Sequence, residues 1–200
     1  FRGQPAGFFL LAPANAAECD AAGPVWARAT AAVAGLPPPT VALLPGNAIG
    51  PAWELALACD LRVASSEATF GNTDIGWGRI PAAGGIQRLV RLAGRARATS
   101  LLLQGQAFTG AEGLSLGVVH RAVETSELEA AFEALLAPLR DGAPVALAYA
   151  KETATAASEL PLVHGLRLEA DLAALLQTSH DRAEGIGAFL EKRTPRFTGT

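Results

Sequence analysis

Two carboxylates stand out by the residues around them. Glu54 lies in Gly50-Pro51-Ala52-Trp53-Glu54-Leu55, a Gly/Pro turn running into a helix. Asp74 lies in Asn72-Thr73-Asp74-Ile75-Gly76-Trp77-Gly78-Arg79-Ile80-Pro81, a largely apolar, Gly-rich segment. A second Gly-rich loop, Ile80-Pro81-Ala82-Ala83-Gly84-Gly85, follows it. A helix start presents unpaired N–H groups and a partial positive charge, so it can polarise a carbonyl oxygen or hold an anion. A carboxylate in apolar surroundings is a weaker acid than usual and suits proton transfer near neutral pH. Two of them can act on two sides of one substrate atom. Each feature also has a plain structural reading: Pro51 suits the first helical position, Glu54 complements the helix dipole, and Asp74 caps a turn.

The elements that must position these residues follow from short apolar runs punctuated by Gly and Pro. Strands are expected at 7–11, 40–44 and 61–64, an extended piece at 68–71, and a final strand from 116 to 123. Helices are expected at 21–35, 52–59 and 95–103. Another opens at the second Gly-rich loop, with Ile86, Leu89, Val90 and Leu92 on one side and Gln87, Arg88 and Arg91 on the other. From 126 onward the pattern is helical, at 126–140, 143–157, 160–177 and 181–191. Strands alternating with helices predict a parallel α/β core over 1–124, followed by a helical region over 125–200.

Composition narrows the function classes. Half of the 200 residues are hydrophobic and 18% are charged, which excludes a disordered chain. Sixteen basic against nineteen acidic residues argue against nucleic-acid binding. The mean hydropathy of +0.26 comes from Ala, and every apolar run is broken before it could span a membrane. Cys19 and Cys59 lack metal-ligand spacing, and His120, His164 and His180 are scattered, so no metal is expected. So few cysteines fit a reducing, cytoplasmic compartment. There is no Met, even at position 1, so a segment is expected to precede Phe1, and 1–5 does not read as a cleavable leader.

Residues 41–94 resemble the enoyl-CoA hydratase/isomerase (crotonase) superfamily. The matching stretches are Val41 to Gly50, Glu54-Leu55-Ala56-Leu57-Ala58-Cys59-Asp60-Leu61-Arg62-Val63-Ala64, Ala68-Thr69-Phe70-Gly71, and Gly78 to Leu89. The likeness continues through Leu102-Leu103-Gln104-Gly105 and Ala111 to Val119 to the tail from Phe189 to Phe197. It implies a spiral of ββα turns with a helical C-terminal trimerisation region, assembling as a homotrimer or hexamer. It also implies an acyl-CoA substrate, as in fatty acid metabolism. Coenzyme A would enter as part of the substrate, with no permanently bound cofactor, metal, nucleic acid or membrane.

The resemblance assigns roles residue by residue. Glu54 matches the first catalytic carboxylate, and Asp74 the second, with an Asp where the family has Glu. Ala12, after the first strand, matches the first N–H donor of the oxyanion hole, although Leu11-Ala12-Pro13 replaces the usual Gly-Ala-Asp. The second donor is the middle residue of a Gly-Gly-Gly run, here Gly50-Pro51-Ala52, so Pro51 occupies its place. Proline has no N–H. A one-residue shift to the Ala52 N–H would restore a donor. The N-terminal strands that help bind the CoA nucleotide are expected to be short or missing. Lys151 and Lys192 are the only lysines, so phosphate contacts fall mainly to Arg. Two other readings stay open: a catalytically degenerate binding or assembly protein, and a thioester hydrolase or decarboxylase on the same scaffold.

Overall fold

Short apolar runs bounded by Gly and Pro become buried parallel strands in the computed structural model, which describes the backbone of residues 6–9 and 16–200 and side chains from residue 23 onward. Ala12 and the end of the expected 7–11 strand lie outside the described residues. The chain packs into two compact units, one of residues 7–36 and 40–135, the other built on 136–200 with 37–39.

In the first unit, β1 (Ala6–Phe9), β2 (Thr40–Leu44), β4 (Leu61–Ser65) and β7 (Arg121–Val123) form one sheet in the order β1-β2-β4-β7. Val41 lies opposite Leu61 and Val63 opposite Arg121, both pairings parallel. A second sheet holds β3 (Ala48–Ile49), β5 (Thr69–Gly71) and β6 (Ala107–Thr109), with Ala48 parallel to Phe70 and Phe70 antiparallel to Phe108. Asp60 ties the starts of β2 and β4. Its Oδ2 accepts from the Thr40 N–H at 2.7 Å and hydroxyl at 2.8 Å, and its own N–H donates to Thr40 Oγ1 at 3.0 Å.

Helix α1 (Ala16–Ala34) lies between β1 and β2 in the chain, and α2 (Pro51–Ala58) follows β3 and leads into β4. Seven of its eight residues are buried, so it is a core helix and not an amphipathic surface one. Its Ala residues allow close packing, while Trp53 fills the space between, stacked on Phe70 at 5.3 Å and edge-on to Phe108 at 5.5 Å. The helix stops at Cys59, where its last carbonyls would be buried without partners. The fully buried Arg62 supplies them: Nη1 donates to the Ala56 and Cys59 carbonyls, Nη2 to Asp60 and Nε to Val118. A lysine has too few donors, in the wrong geometry, to replace this fork.

Beyond β5 the chain makes a 3₁₀ turn (Asp74–Trp77), then α3 (Gly85–Ala93) and α4 (Arg95–Gln104). In α3, Leu89 and Ala93 face the core, while Leu92, grouped with Leu89 on the apolar side, is exposed. The final strand starts only at Arg121. Residues 116–119 form a turn in which Gly117 adopts a positive φ and the Val118 and Val119 N–H groups both donate to the Gly113 carbonyl. Before that turn stand β6 and α5 (Gly110–Ser115), neither of them expected. α5 begins with a capping box between Thr109 and Glu112.

The helical part comprises α6 (Leu128–Arg140), which crosses from one unit to the other in sequence, then α7 (Pro144–Ala156), α8 (Leu162–Leu176) and α9 (His180–Glu191). The C-terminal strand of chain is pinned to α9. The buried Asp181 accepts from the Thr198 and Gly199 N–H groups, and Glu184 pairs with Arg193.

His120 gives the fold an acid-sensitive point. Its Nδ1 accepts from the Arg62 N–H at 3.1 Å, so the ring must be neutral there. Burial, and then the Arg62 charge, push its pKa down from 6.5 to about 4. Between those values the unfolded chain takes up a proton that the folded one refuses. This contribution is therefore complete above pH 6.5 and is lost as pH falls toward 4. The urea midpoint of the wild type is expected to drop more steeply across this window than that of His120→Asn, which keeps an acceptor without a titrating ring. Parallel curves would remove His120 as the cause.

Candidate active site

The site is built around the start of α2. Gly50 sits at φ +62° and ψ −128°, a conformation that needs glycine, and its N–H donates to the Gly71 carbonyl at 2.8 Å. Pro51 is the first helical residue and has no N–H. The Glu54 N–H closes the first helical turn onto the Gly50 carbonyl at 3.0 Å. Of the N–H groups at this helix start, those of Ala52 and Trp53 are left without a carbonyl four residues back.

Glu54 is only 2% exposed. Its Oε2 accepts from the Ala83 N–H at 2.8 Å and the Gly85 N–H at 2.7 Å. Burial raises its pKa, the Gly85 and Ala83 N–H groups pull it down, the Asp74 charge raises it further, and the net is a carboxyl above the ordinary value. The second Gly-rich loop thus grips the carboxylate with its backbone. Gly84, at φ +95°, turns the chain so that these N–H groups point at Glu54, and Arg88 braces the loop by donating to the Ala83 carbonyl at 3.0 Å. The Glu54 charge is felt at Arg88 too, where it partly offsets the effect of burial.

Asp74 opens the 3₁₀ turn, half-buried, with Oδ2 shielded from solvent and without a hydrogen-bond partner among the described residues. The two acids expected from the sequence are therefore brought close enough to feel each other's charge. Gly50, Pro51 and Ala52 stand at the helix start beside them, whereas Ala12 lies outside the described residues.

Two participants were not singled out by residue type. Gly85 must lack a side chain, because a β-carbon there would stand 2.8 Å from Glu54 Cγ and 3.0 Å from its Oε2. Asn72 points its Oδ1 at the same place, 3.1 Å from that β-carbon position. A sequence signal existed for Asn72: two positions beyond the buried Phe70 in an extended segment, it falls on the same inward face. Among the described residues no three His, Cys, Asp or Glu side chains converge as a metal set, and no helix is long and apolar enough to cross a membrane.

The Gly85 contact yields a direct test. Gly85→Ala forces Glu54 to move within a packed site, at an expected cost of about 1–3 kcal/mol. A thermal melt unchanged from wild type would mean that the carboxylate is not held as described.

Comparison with known proteins extends this geometry. The family model for enoyl-CoA hydratase/isomerase matches residues 20–200. The chain is 40% identical over 171 residues to the human enoyl-CoA hydratase domain-containing protein 2, mitochondrial, covering 84% of this chain and 59% of that protein. It is 39% identical over 176 residues to the 2,3-dehydroadipyl-CoA hydratase of Escherichia coli K12, covering 88% and 67%. It thus spans less than two thirds of the length of the human relative. Among solved structures, an enoyl-CoA hydratase from Bacillus anthracis superposes with a TM-score of 0.88 at 34% identity, over 93% of this chain and 72% of that one.

Proposed function

We propose that this chain, which belongs to the enoyl-CoA hydratase/isomerase family, adds water to a 2-enoyl-CoA thioester, with Glu54 and Asp74 as its acid/base pair. The observation that carries this reading is the buried Glu54 carboxylate, held by two backbone N–H groups with its acidity weakened and Asp74 beside it. One carboxylate takes a proton from water as the water oxygen bonds to C3. The electron pair of the C2–C3 double bond passes through the thioester as an enolate, and a carboxyl returns a proton to C2. One water is consumed and nothing leaves. Moving a proton between carbons without adding water would use the same groups, which is the isomerase variant.

The enolate oxygen needs N–H donors. Gly50 has committed its N–H to Gly71 and Pro51 has none, so the first free donor at this helix start is the Ala52 N–H, ahead of that of Trp53, with Ala12 as the counterpart named by the resemblance. Loss of one oxyanion donor costs about 3–4 kcal/mol of transition-state stabilisation. Pro51 therefore also favours a second reading, a degenerate relative that binds acyl-CoA without turning it over.

Steady-state hydration of crotonyl-CoA separates the two. Wild type is expected to turn over more slowly than about 10 per second. Glu54→Gln and Asp74→Asn should each lower kcat by about a hundredfold or more. Activity should fail as pH drops through the Glu54 pKa, which lies above the ordinary carboxylate value of 4.5. Pro51→Gly should raise turnover at a stability cost of about 0.5–1 kcal/mol. Equal turnover in wild type and both acid variants removes the acids from the mechanism, and no turnover in any of the proteins supports the binding reading.

A homotrimer, or a pair of trimers, is the assembly we propose. Apolar side chains of the helical region stand in solvent, among them Leu162 at 77% exposure and Phe189 at 82%, with Val163, Leu166 and Leu190. Light scattering at micromolar concentration is expected to give three or six times the chain mass, and a monomer would overturn this.

A further inference from the structure

Asn72 is a buried polar side chain that the fold itself does not use. It is 4% exposed, and neither Oδ1 nor Nδ2 finds a hydrogen-bond partner among the described residues. Native proteins keep few such atoms, and two on one carboxamide call for a reason. Their location supplies it. Asn72 Oδ1 and Glu54 Oε2 converge on one point, the place a β-carbon on Gly85 would fill, at 3.1 Å and 3.0 Å. Two residues further along, Asp74 Oδ2 is likewise shielded and unpartnered.

Resting on the hydratase reading above, we propose that the Asn72 carboxamide is a third polar group of the active site, donating a hydrogen bond to the water oxygen that Glu54 and Asp74 activate. The need for it follows from counting. Ionised carboxylates only accept hydrogen bonds. Before proton transfer, a water held by two of them donates a hydrogen bond to each and keeps two lone pairs, and the carboxyl that protonates C2 forms only when one of them takes up a proton from that water. One lone pair must face C3 to form the new bond, and the other needs a donor if the oxygen is to be held in line. Two buried side-chain donors near Glu54 are unpartnered, Trp53 Nε1 and Asn72 Nδ2; the indole is packed between Phe70 and Phe108, and the carboxamide is the one that meets Glu54 Oε2 at the Gly85 position. A half-turn of the amide exchanges Oδ1 and Nδ2, so the donor can face the site without moving the backbone. Asn72 sets the direction of attack, while proton transfer stays with the acids. The bond formed and the protons moved are those already given, with Asn72 gaining and losing none.

The deciding variant is Asn72→Leu, which matches the branched shape of Asn and carries no polar atoms. Replacing an unsatisfied polar side chain by an apolar one of like shape does not weaken a fold. The melting temperature is therefore expected to stay level or rise, while kcat for crotonyl-CoA falls on the order of a hundredfold with KM little changed. Asn72→Ser, which keeps an O–H donor, should recover part of kcat. Asn72→Asp, which only accepts when ionised, should not. A drop of several degrees in the Asn72→Leu melt shows a structural carboxamide and overturns the proposal whatever the turnover. If turnover depends on Glu54 but survives Asn72→Leu, the proposal alone falls. If wild type has no turnover, or turnover that ignores Glu54→Gln, the hydratase reading falls and this proposal with it.

Discussion

The grip of the Ala83 and Gly85 N–H groups on the Glu54 carboxylate is the contact on which the site depends. A carboxylate this deeply buried costs several kcal/mol to desolvate, and with Arg88 acting on it only through space, the main offset comes from hydrogen bonds. Each bond from an N–H to a charged oxygen contributes about 1.5–3 kcal/mol. The two together keep the charge tolerable without abolishing its basicity, because burial and the Asp74 charge still hold its proton affinity above normal. A lysine or arginine at hydrogen-bond distance would have made Glu54 a stable, inert anion. Backbone donors do the lesser job that the proposed proton transfer requires.

That contact works only if α2 is held still at both ends. At its start, the Gly50 N–H is tied to β5 through the Gly71 carbonyl, and the Glu54 side chain reaches the loop before α3. At its end, Arg62 takes up the last carbonyls and carries the connection onward to Val118. Between the two ends, the Trp53–Phe70–Phe108 cluster fixes rotation about the helix axis, because the indole is stacked on one ring and meets the other edge-on. The buried charges at the two ends have opposite signs, and each is matched to what that end of a helix lacks. Unpaired carbonyls at the end receive a guanidinium. The acid at the start lies within reach of the helix's positive pole.

Much of this could be read from the sequence, and the remainder has identifiable causes. The run 40–44 was legible as a strand because Pro39 and Pro45 bound it, and 61–64, although Arg62 breaks its apolar run, because it follows a helix in a strand–helix alternation. The apolar run 116–119 looked the same but is a turn, since periodicity cannot distinguish a buried turn from a buried strand and only Gly117 marks the difference. β6 is three residues long and too short to show a period. The Thr109-to-Glu112 capping box was the one signal for α5 after it. Glu54 and Asp74 were visible as acids in unusual company. What held Glu54 was not visible, because its partners are backbone N–H groups, which no side chain in Ala83-Gly84-Gly85 announces.

Pro51 brings the opposing demands on this helix start together. A glycine there would leave an N–H free to meet a developing oxyanion, but it would also leave the turn loose. Proline sets φ for the first helical residue and stiffens the turn, and gives up the donor to do so. The structure shows the stiffened version: Gly50 already takes the strained conformation, its own N–H is committed to β5, and Pro51 and Ala52 are buried against the core. A ligand oxygen approaching this turn therefore meets its first free N–H one residue deeper, at Ala52. The reacting carbon would then sit differently against Glu54 and Asp74 than it would under a donor at position 51. Under the hydratase reading proposed above, the shorter reach of Asp74 would fit the same change in geometry, because a carboxylate one methylene shorter than glutamate suits a substrate seated closer to its backbone.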